Sequence, residues 1–341
     1  MDVVFESRGR IGIVTLNRLQ ALNALTLAMV IDIDRQLAAW ADDQGIAAVV
    51  IRSAGGRAFC AGGDIRALYE ASRRGDAYTR DFYRREYRLN HRIKTYPKPY
   101  FALIDGIVMG GGVGLSVHGS HRVISERCQF AMPETGIGFF PDVGGTWFLP
   151  RLAGRLGTYL GLTGARVGAA DTLYCGIATH HCRSDALGSL LDELARDGAP
   201  AFAGLGADAG PPPLAPHRPV IDRCFAADSV EEILDRLDRE PGEWAKETAA
   251  VLRRKSPTSL KIVLRQLRLG AELRDFATAM QLEYRLSQRC VGSHDFHEGV
   301  RAAVIDKDQA PRWEPATLAE VDDNTVAGYF APLDEQDLDL G

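Results

Sequence analysis

Short apolar runs punctuated by glycine and polar turns fill the first half of the chain, and apolar positions at helical spacing fill the last third. Residues 3–5 and 11–16 predict two strands of a hairpin turning at Arg8-Gly9-Arg10. Asn17 to Asn23 reads as a polar turn, and Met29, Val30, Ile33, Leu37 and Trp40 predict a helix from Thr26 to Trp40. Buried strands are expected at Ala47–Ile51, at Tyr100–Ile104 behind Pro99, at Val123–Ser125 and at Ile177–His181. Residues 66–98 interleave aromatics and leucines with many Arg and Lys, which predicts a charge-rich helix; such a face is either simply solvated or turned to a phosphate-bearing ligand. Residues 151–165 are helical or turn-like. Helical patterns resume at Val230 and run through Trp244–Lys255 and from Pro257 to about Arg289, with Ser256-Pro257-Thr258 as a helix start. The acidic end, Asp334 to Leu340, is expected to fray.

Two glycine turns interrupt this pattern. Ala61-Gly62-Gly63-Asp64 follows an apolar run and leads to a helix from Ile65. Ile107-Val108-Met109-Gly110-Gly111-Gly112-Val113-Gly114 follows another, and Leu115-Ser116-Val117-His118 can then begin a helix. Three successive glycines leave the backbone bare, so a ligand can approach its N–H groups closely. Unpaired N–H groups at a helix start favour negative charge. Tight strand–helix packing accounts for the glycines equally well. Neither G-x-G-x-x-G nor G-x-x-x-x-G-K-[ST] spacing occurs.

The 341 residues, 46% hydrophobic and 25% charged, suit a globular protein with a large core. A net charge of −5 excludes a general attraction to nucleic acid or to an anionic membrane. The six cysteines form no C-x-x-C pair, which points to reduced thiols in a cytoplasmic protein. Met1 to Glu6 lacks the features of a signal peptide. The longest apolar stretch, Ile107 to Val117, is about half a membrane span. Residues 198–219, with Pro211-Pro212-Pro213, read as a linker or long surface loop.

Several candidates for chemistry are better explained structurally. Gly114-Leu115-Ser116-Val117-His118 lacks the final glycine of a nucleophile elbow. His294-Asp295-Phe296-His297-Glu298 has metal-like spacing but no zinc motif, so packing near a helix start explains it. His180 and His181 fall on opposite faces of a strand. No metal is expected. Glu134 and Asp142 stand out: both sit in apolar loops broken by Gly and Pro, where a charge is costly unless paired or used, although a helix-cap or turn role accounts for each taken alone.

Gly62-Gly63-Asp64-Ile65 and Gly110-Gly111-Gly112 together resemble the two oxyanion loops of the crotonase (enoyl-CoA hydratase/isomerase) superfamily. Asn17–Leu25 is similar to its CoA-binding turn. Gly110–His118, Phe130–Leu149, Ser256–Leu267, Glu283–Gln288 and His294–Gln309 resemble its branch of 3-hydroxyisobutyryl-CoA hydrolases. The resemblance implies an α/β fold, a ββα spiral with a helical C-terminal region: a core over 1–200, a Pro/Gly/Ala-rich connection over 201–225 and helices over 226–341. It implies oxyanion donors at Gly63 and Gly111, catalytic acids at Glu134 and Asp142, and substrate contacts at Glu86, Asp64, Ile65 and Arg66, with Gly111, Glu134 and Asp142 touching substrate as well. The implied reaction is hydrolysis of a short 3-hydroxyacyl-CoA thioester, a step of valine catabolism, with CoA as part of the substrate and no other cofactor. A homo-oligomer is compatible with it. Hydratases of the superfamily carry a second glutamate where this chain has Gly114, which favours hydrolysis. An enoyl- or dienoyl-CoA isomerase using both acids is the alternative; a non-catalytic acyl-CoA-binding protein is another.

Overall fold

The structure, a computed structural model, describes residues 1–197, 208–333 and 336–340. The chain forms two compact units, each assembled from several stretches. One comprises residues 1–64, 85–131 and 166–213, the other 65–84, 132–165 and 214–341.

The first unit holds the strands: β1 (Val3–Arg8), β2 (Ile11–Leu16), β3 (Ala48–Ser53), β4 (Ala58–Cys60), β5 (Tyr100–Ile104), β6 (Ile107–Met109), β7 (His121–Ile124), β8 (Gln129–Ala131), β9 (Val167–Gly168) and β10 (His180–His181). They make a six-stranded sheet in the order β1-β2-β3-β5-β7-β10 and a four-stranded sheet in the order β4-β6-β8-β9. The hairpin β1–β2 is antiparallel; β2, β3, β5, β7 and β10 run parallel. Three times the chain lays a strand in the large sheet and the next in the small one: β3 then β4, β5 then β6, β7 then β8. This is the ββα spiral expected from the sequence. Its inner strands are covered on both faces, so β2 and β5 read as unbroken apolar runs, every residue buried. On one face Leu190, Leu191 and Leu194 of the helix Leu187–Asp197 pack over Ile11, Ile13, Val50, Phe101 and Val123. The helix Leu27–Asp42 begins where expected, with the Thr26 hydroxyl accepting from the Met29 N–H. A Cβ at Gly12 would stand 2.5 Å from the Trp40 ring, so the glycine lets that indole approach the strand.

The second unit is helical. Its longest elements, Pro257–Glu272 and Phe276–Cys290, are capped by the side chains of Ser256 and Asp275. Both pack against the short helix Gly145–Phe148. The approach is closest at Gly270, where a Cβ would stand 2.0 Å from the Thr146 carbonyl oxygen.

Four expectations need correction. The single helix over 66–98 is two, Ile65–Arg74 and Tyr78–Lys94, because Gly75 turns the chain at φ +66°. The helix from Pro257 likewise breaks at Leu273, whose backbone is extended, and restarts behind the Asp275 cap. Of the connection expected over 201–225, residues 201–207 lie outside the described residues, and Arg218–Cys224 is helical. The acidic end does not fray over 336–340: Leu338 is 2% exposed and Asp337 pairs with Arg285. Among the described residues no helix is long and apolar enough to cross a membrane. All six cysteines are buried free thiols.

Candidate active site

In the sheet unit, β4 and β6 are parallel neighbours, so the loops leaving their C-terminal ends lie side by side. The first is Ala61–Asp64. The segment Leu22–Leu25 runs along it: the Ala61 N–H donates to Leu22, the Leu25 N–H to Gly62 and the Asp64 N–H to Leu25. Gly63 is the residue opposite Leu25 in this parallel bridge, so its own N–H turns to the other side. The second loop is Gly110–Gly114. Gly110 takes φ +45°, which reverses the chain, and the helix starts at Gly111, four residues before the expected Leu115. Gly112 must be bare because a Cβ there would stand 2.2 Å from the Cys60 carbonyl oxygen. The packing reading of the glycines therefore holds at Gly112, and the same turns leave two amides without an acceptor among the described residues. Neither the Gly63 nor the Gly111 N–H donates to a protein acceptor among the described residues. The loops are close, for a Cβ on Gly62 would stand 3.9 Å from the Gly111 nitrogen.

Glu86 belongs to the same cluster. It is 2% exposed, and its Oε1 lies 2.6 Å from where a Cβ on Gly111 would stand. The Cys60 thiol is pushed up to about 12 by burial, opposed by the Gly62 backbone and helped by Glu86, so it is inert. Asp64 is held by Arg18 at 2.8 Å, and Arg18 also donates to the Ala24 carbonyl. Asn23, in the left-handed region at φ +57°, accepts from the Arg18 N–H and donates to Ser53, Ala58 and Phe59. Within the Asn17–Leu25 turn these two side chains therefore build the loop itself. Ser116, in the turn that follows the helix Gly111–Gly114, donates to the Gly112 carbonyl, a structural bond.

The carboxylates lie in the helical unit. Glu134 opens the turn Glu134–Ile137 and is 6% exposed; its Oε2 has no hydrogen-bond partner among the described residues. Burial pushes its carboxyl well above the usual range, Asp142 adds to this, and Lys255 opposes it. Lys255, on the same side as Gly136, is itself pushed down by burial and pulled up by Glu134. Asp142, 5% exposed, opens a turn in which the Gly145 N–H donates to its carbonyl. Val143 takes φ +49° there, a strained state for a β-branched residue that costs about 1–3 kcal/mol. Gln266 donates to the Pro141 carbonyl at 2.7 Å and to the Thr146 hydroxyl at 2.8 Å. The carboxylate of Glu283 accepts from the Gly144 and Thr146 N–H groups, both at 2.8 Å. Burial and Asp142 push Glu283 up to about 8, against those hydrogen bonds.

Ile65 and Arg66 begin the helix Ile65–Arg74 in this unit; Arg66 is exposed and donates to the Val304 carbonyl. Other arginines of the basic run are spent on the protein: Arg84 on Tyr284, Arg74 on Asp76, Arg92 on Asp34. His297 bonds the Ser72 hydroxyl at 3.0 Å, a packing role. Among the described residues no group of three or more His, Cys, Asp or Glu is arranged to hold a metal ion. Glu283 and Gln266 were not among the expected site residues. The available signal was a carboxylate in step with the buried positions Met280, Tyr284 and Ser287 of an amphipathic helix.

A family model for enoyl-CoA hydratase/isomerase matches residues 11–330, and the chain belongs to that family. Within it, the chain is 49% identical to the mitochondrial 3-hydroxyisobutyryl-CoA hydrolase of Danio rerio, over 99% of this chain and 92% of that protein. The corresponding hydrolase of Homo sapiens is 46% identical over 99% and 90%. Among solved structures, an enoyl-CoA hydratase from Rhodobacter sphaeroides is 42% identical with a TM-score of 0.93, covering 99% of this chain and 100% of its own. A carnitinyl-CoA dehydratase from Mycobacterium thermoresistibile is 41% identical with a TM-score of 0.95, covering 99% and 98%.

Proposed function

We propose that this protein hydrolyses 3-hydroxyisobutyryl-CoA to 3-hydroxyisobutyrate and CoA. Near-full-length kinship with hydrolases carries the reading. The hydratase and dehydratase among the structural neighbours point elsewhere, and Gly114 favours hydrolysis. Two-glutamate addition or removal of water needs a carboxylate at that place, and here a buried glycine ends the Gly111–Gly114 helix.

In this reading the thioester oxygen accepts from the Gly63 and Gly111 amides, which have no acceptor among the described residues. They stabilise the charge that develops on it as the carbonyl is attacked. Glu134 attacks to form an enzyme-bound anhydride or takes a proton from the attacking water. The CoA thiolate leaves, and water completes the acid. Either route needs Glu134 ionised. Since its carboxyl is held above the usual range, the reaction speeds up as pH rises through that raised value. Asp142 orients the hydroxyacyl group or the water, and Glu86 receives the 3-hydroxyl. The chemistry calls on no metal or redox cofactor; CoA enters with the substrate.

Free CoA detected with a thiol reagent tests the proposal directly. Stoichiometric release from 3-hydroxyisobutyryl-CoA is the expected result. Conversion of an enoyl- or dienoyl-CoA without release establishes the isomerase instead. Arg66, exposed at the start of its helix, is assigned to the nucleotide end of CoA. Arg66→Glu accordingly raises KM several-fold with little change in kcat, because those contacts are the same in ground and transition states. An unaltered KM removes Arg66 from the site.

A further inference from the structure

We infer that Glu283, together with Gln266, is a positioning residue that fixes Asp142 for the reaction; the inference rests on the role given to Asp142 above.

Asp142 is bracketed on both sides by side chains more than 120 positions away in sequence. Before it, the Pro141 carbonyl accepts from Gln266; after it, the Gly144 and Thr146 amides donate to Glu283, and the Thr146 hydroxyl accepts from Gln266. Glu283 and Gln266 are both 0% exposed, so these bonds meet little competition from water. Between the anchors, Val143 at φ +49° and Gly144 at φ +94° turn the backbone through a conformation that valine does not take by preference. The anchors hold that turn and thereby set where the residue before it points. Two parallel N–H donors suit a carboxylate, whose two oxygens accept separately.

A fully buried carboxylate is an expensive staple. A purely structural fastening of one loop does not call for a second acid near the first. Asp142 contributes to raising Glu283, so the two groups sense one another. The same Asp142 acts on Glu134.

Glu283→Gln keeps the shape but leaves one acceptor oxygen, and its NH₂ group must then face one of the two amides. The test is a double-mutant cycle with Asp142→Asn, measured as CoA release and resolved into kcat and KM. The inference expects Asp142→Asn to lower kcat, and Glu283→Gln to lower it tenfold or more in the wild-type background. Added to Asp142→Asn, the second change costs less than twofold, since the residue being positioned is already disabled. Gln266→Met gives a second cycle with the same expectation, and it decides the matter if Glu283→Gln does not fold. If the single effects multiply in full, or both anchor variants hydrolyse like wild type, the anchors are structural only and the inference falls. If Asp142→Asn alone is fully active, the failure lies instead in the role assigned to Asp142.

Discussion

Replacing Glu134 by glutamine lowers kcat and kcat/KM together by at least about 10³. The amide preserves size and removes the charge that either attacks or deprotonates water. Such a group acts in the transition state, so KM stays nearly constant. Protein stability moves the other way. A carboxyl held above its unfolded value is accommodated by the fold while protonated, and its contribution to stability is full below the unfolded pKa. That contribution is lost as pH rises through the raised folded value, where the ionised form is buried beside Asp142. Glutamine has no proton to lose. The variant therefore melts higher than wild type at neutral and alkaline pH, and the two converge in acid below the ordinary carboxylate range. Melting curves at several pH values, paired with CoA-release rates, check both halves. Wild-type-like hydrolysis removes Glu134 from the chemistry. Single turnover in ¹⁸O-water divides the two routes: label enters the Glu134 carboxylate only through the anhydride.

Gly111→Ala lowers kcat by about 10², the scale of losing one oxyanion donor. The backbone at Gly111 is already helical, so alanine is not excluded by conformation. It is excluded by space. Its Cβ would stand 2.6 Å from Glu86 Oε1 and 3.0 Å from Leu25 Cδ1, and both neighbours are buried. The chain shifts to make room, and the Gly111 N–H shifts with it. A displacement of well under 1 Å is enough to spoil a preorganised donor. An unchanged single-turnover rate would show that this amide does not serve the carbonyl.

Much of this arrangement was legible from residue patterns, for identifiable reasons. The parallel strands show as continuous apolar runs because both faces are covered, and helix starts at Thr26 and Ser256 show because capping is local chemistry. The two glycine turns stood out because a bare backbone has few uses. Their exact conformation did not: the helix begins at Gly111 because Gly110 reverses the chain, and nothing in the letters separates that start from one at Leu115. The break at Leu273 left no clear mark on the periodicity, although the Asp275 cap behind it is local chemistry. Asp337 and Leu338 looked like a loose acidic end because their partners, Arg285 and Gln281, are 52 and 57 positions away. Glu283 lies in a family-like stretch that assigns it no role. Helical spacing says that its position is buried, but not that two amides of another loop end on its oxygens.

The distance in sequence between the Asp142 turn and its anchors has a temporal consequence. Gly144 and Glu283 are 139 residues apart. At about 5–20 residues per second, a ribosome takes on the order of ten seconds to cover that interval. For that time the nascent chain carries Glu134 and Asp142 but lacks the acceptor for the Gly144 and Thr146 amides. Val143 then has no clamp to hold it at positive φ and relaxes to an ordinary conformation. The acids are thus translated early and set late, and competence for hydrolysis arrives only after the helix Phe276–Cys290 has been made.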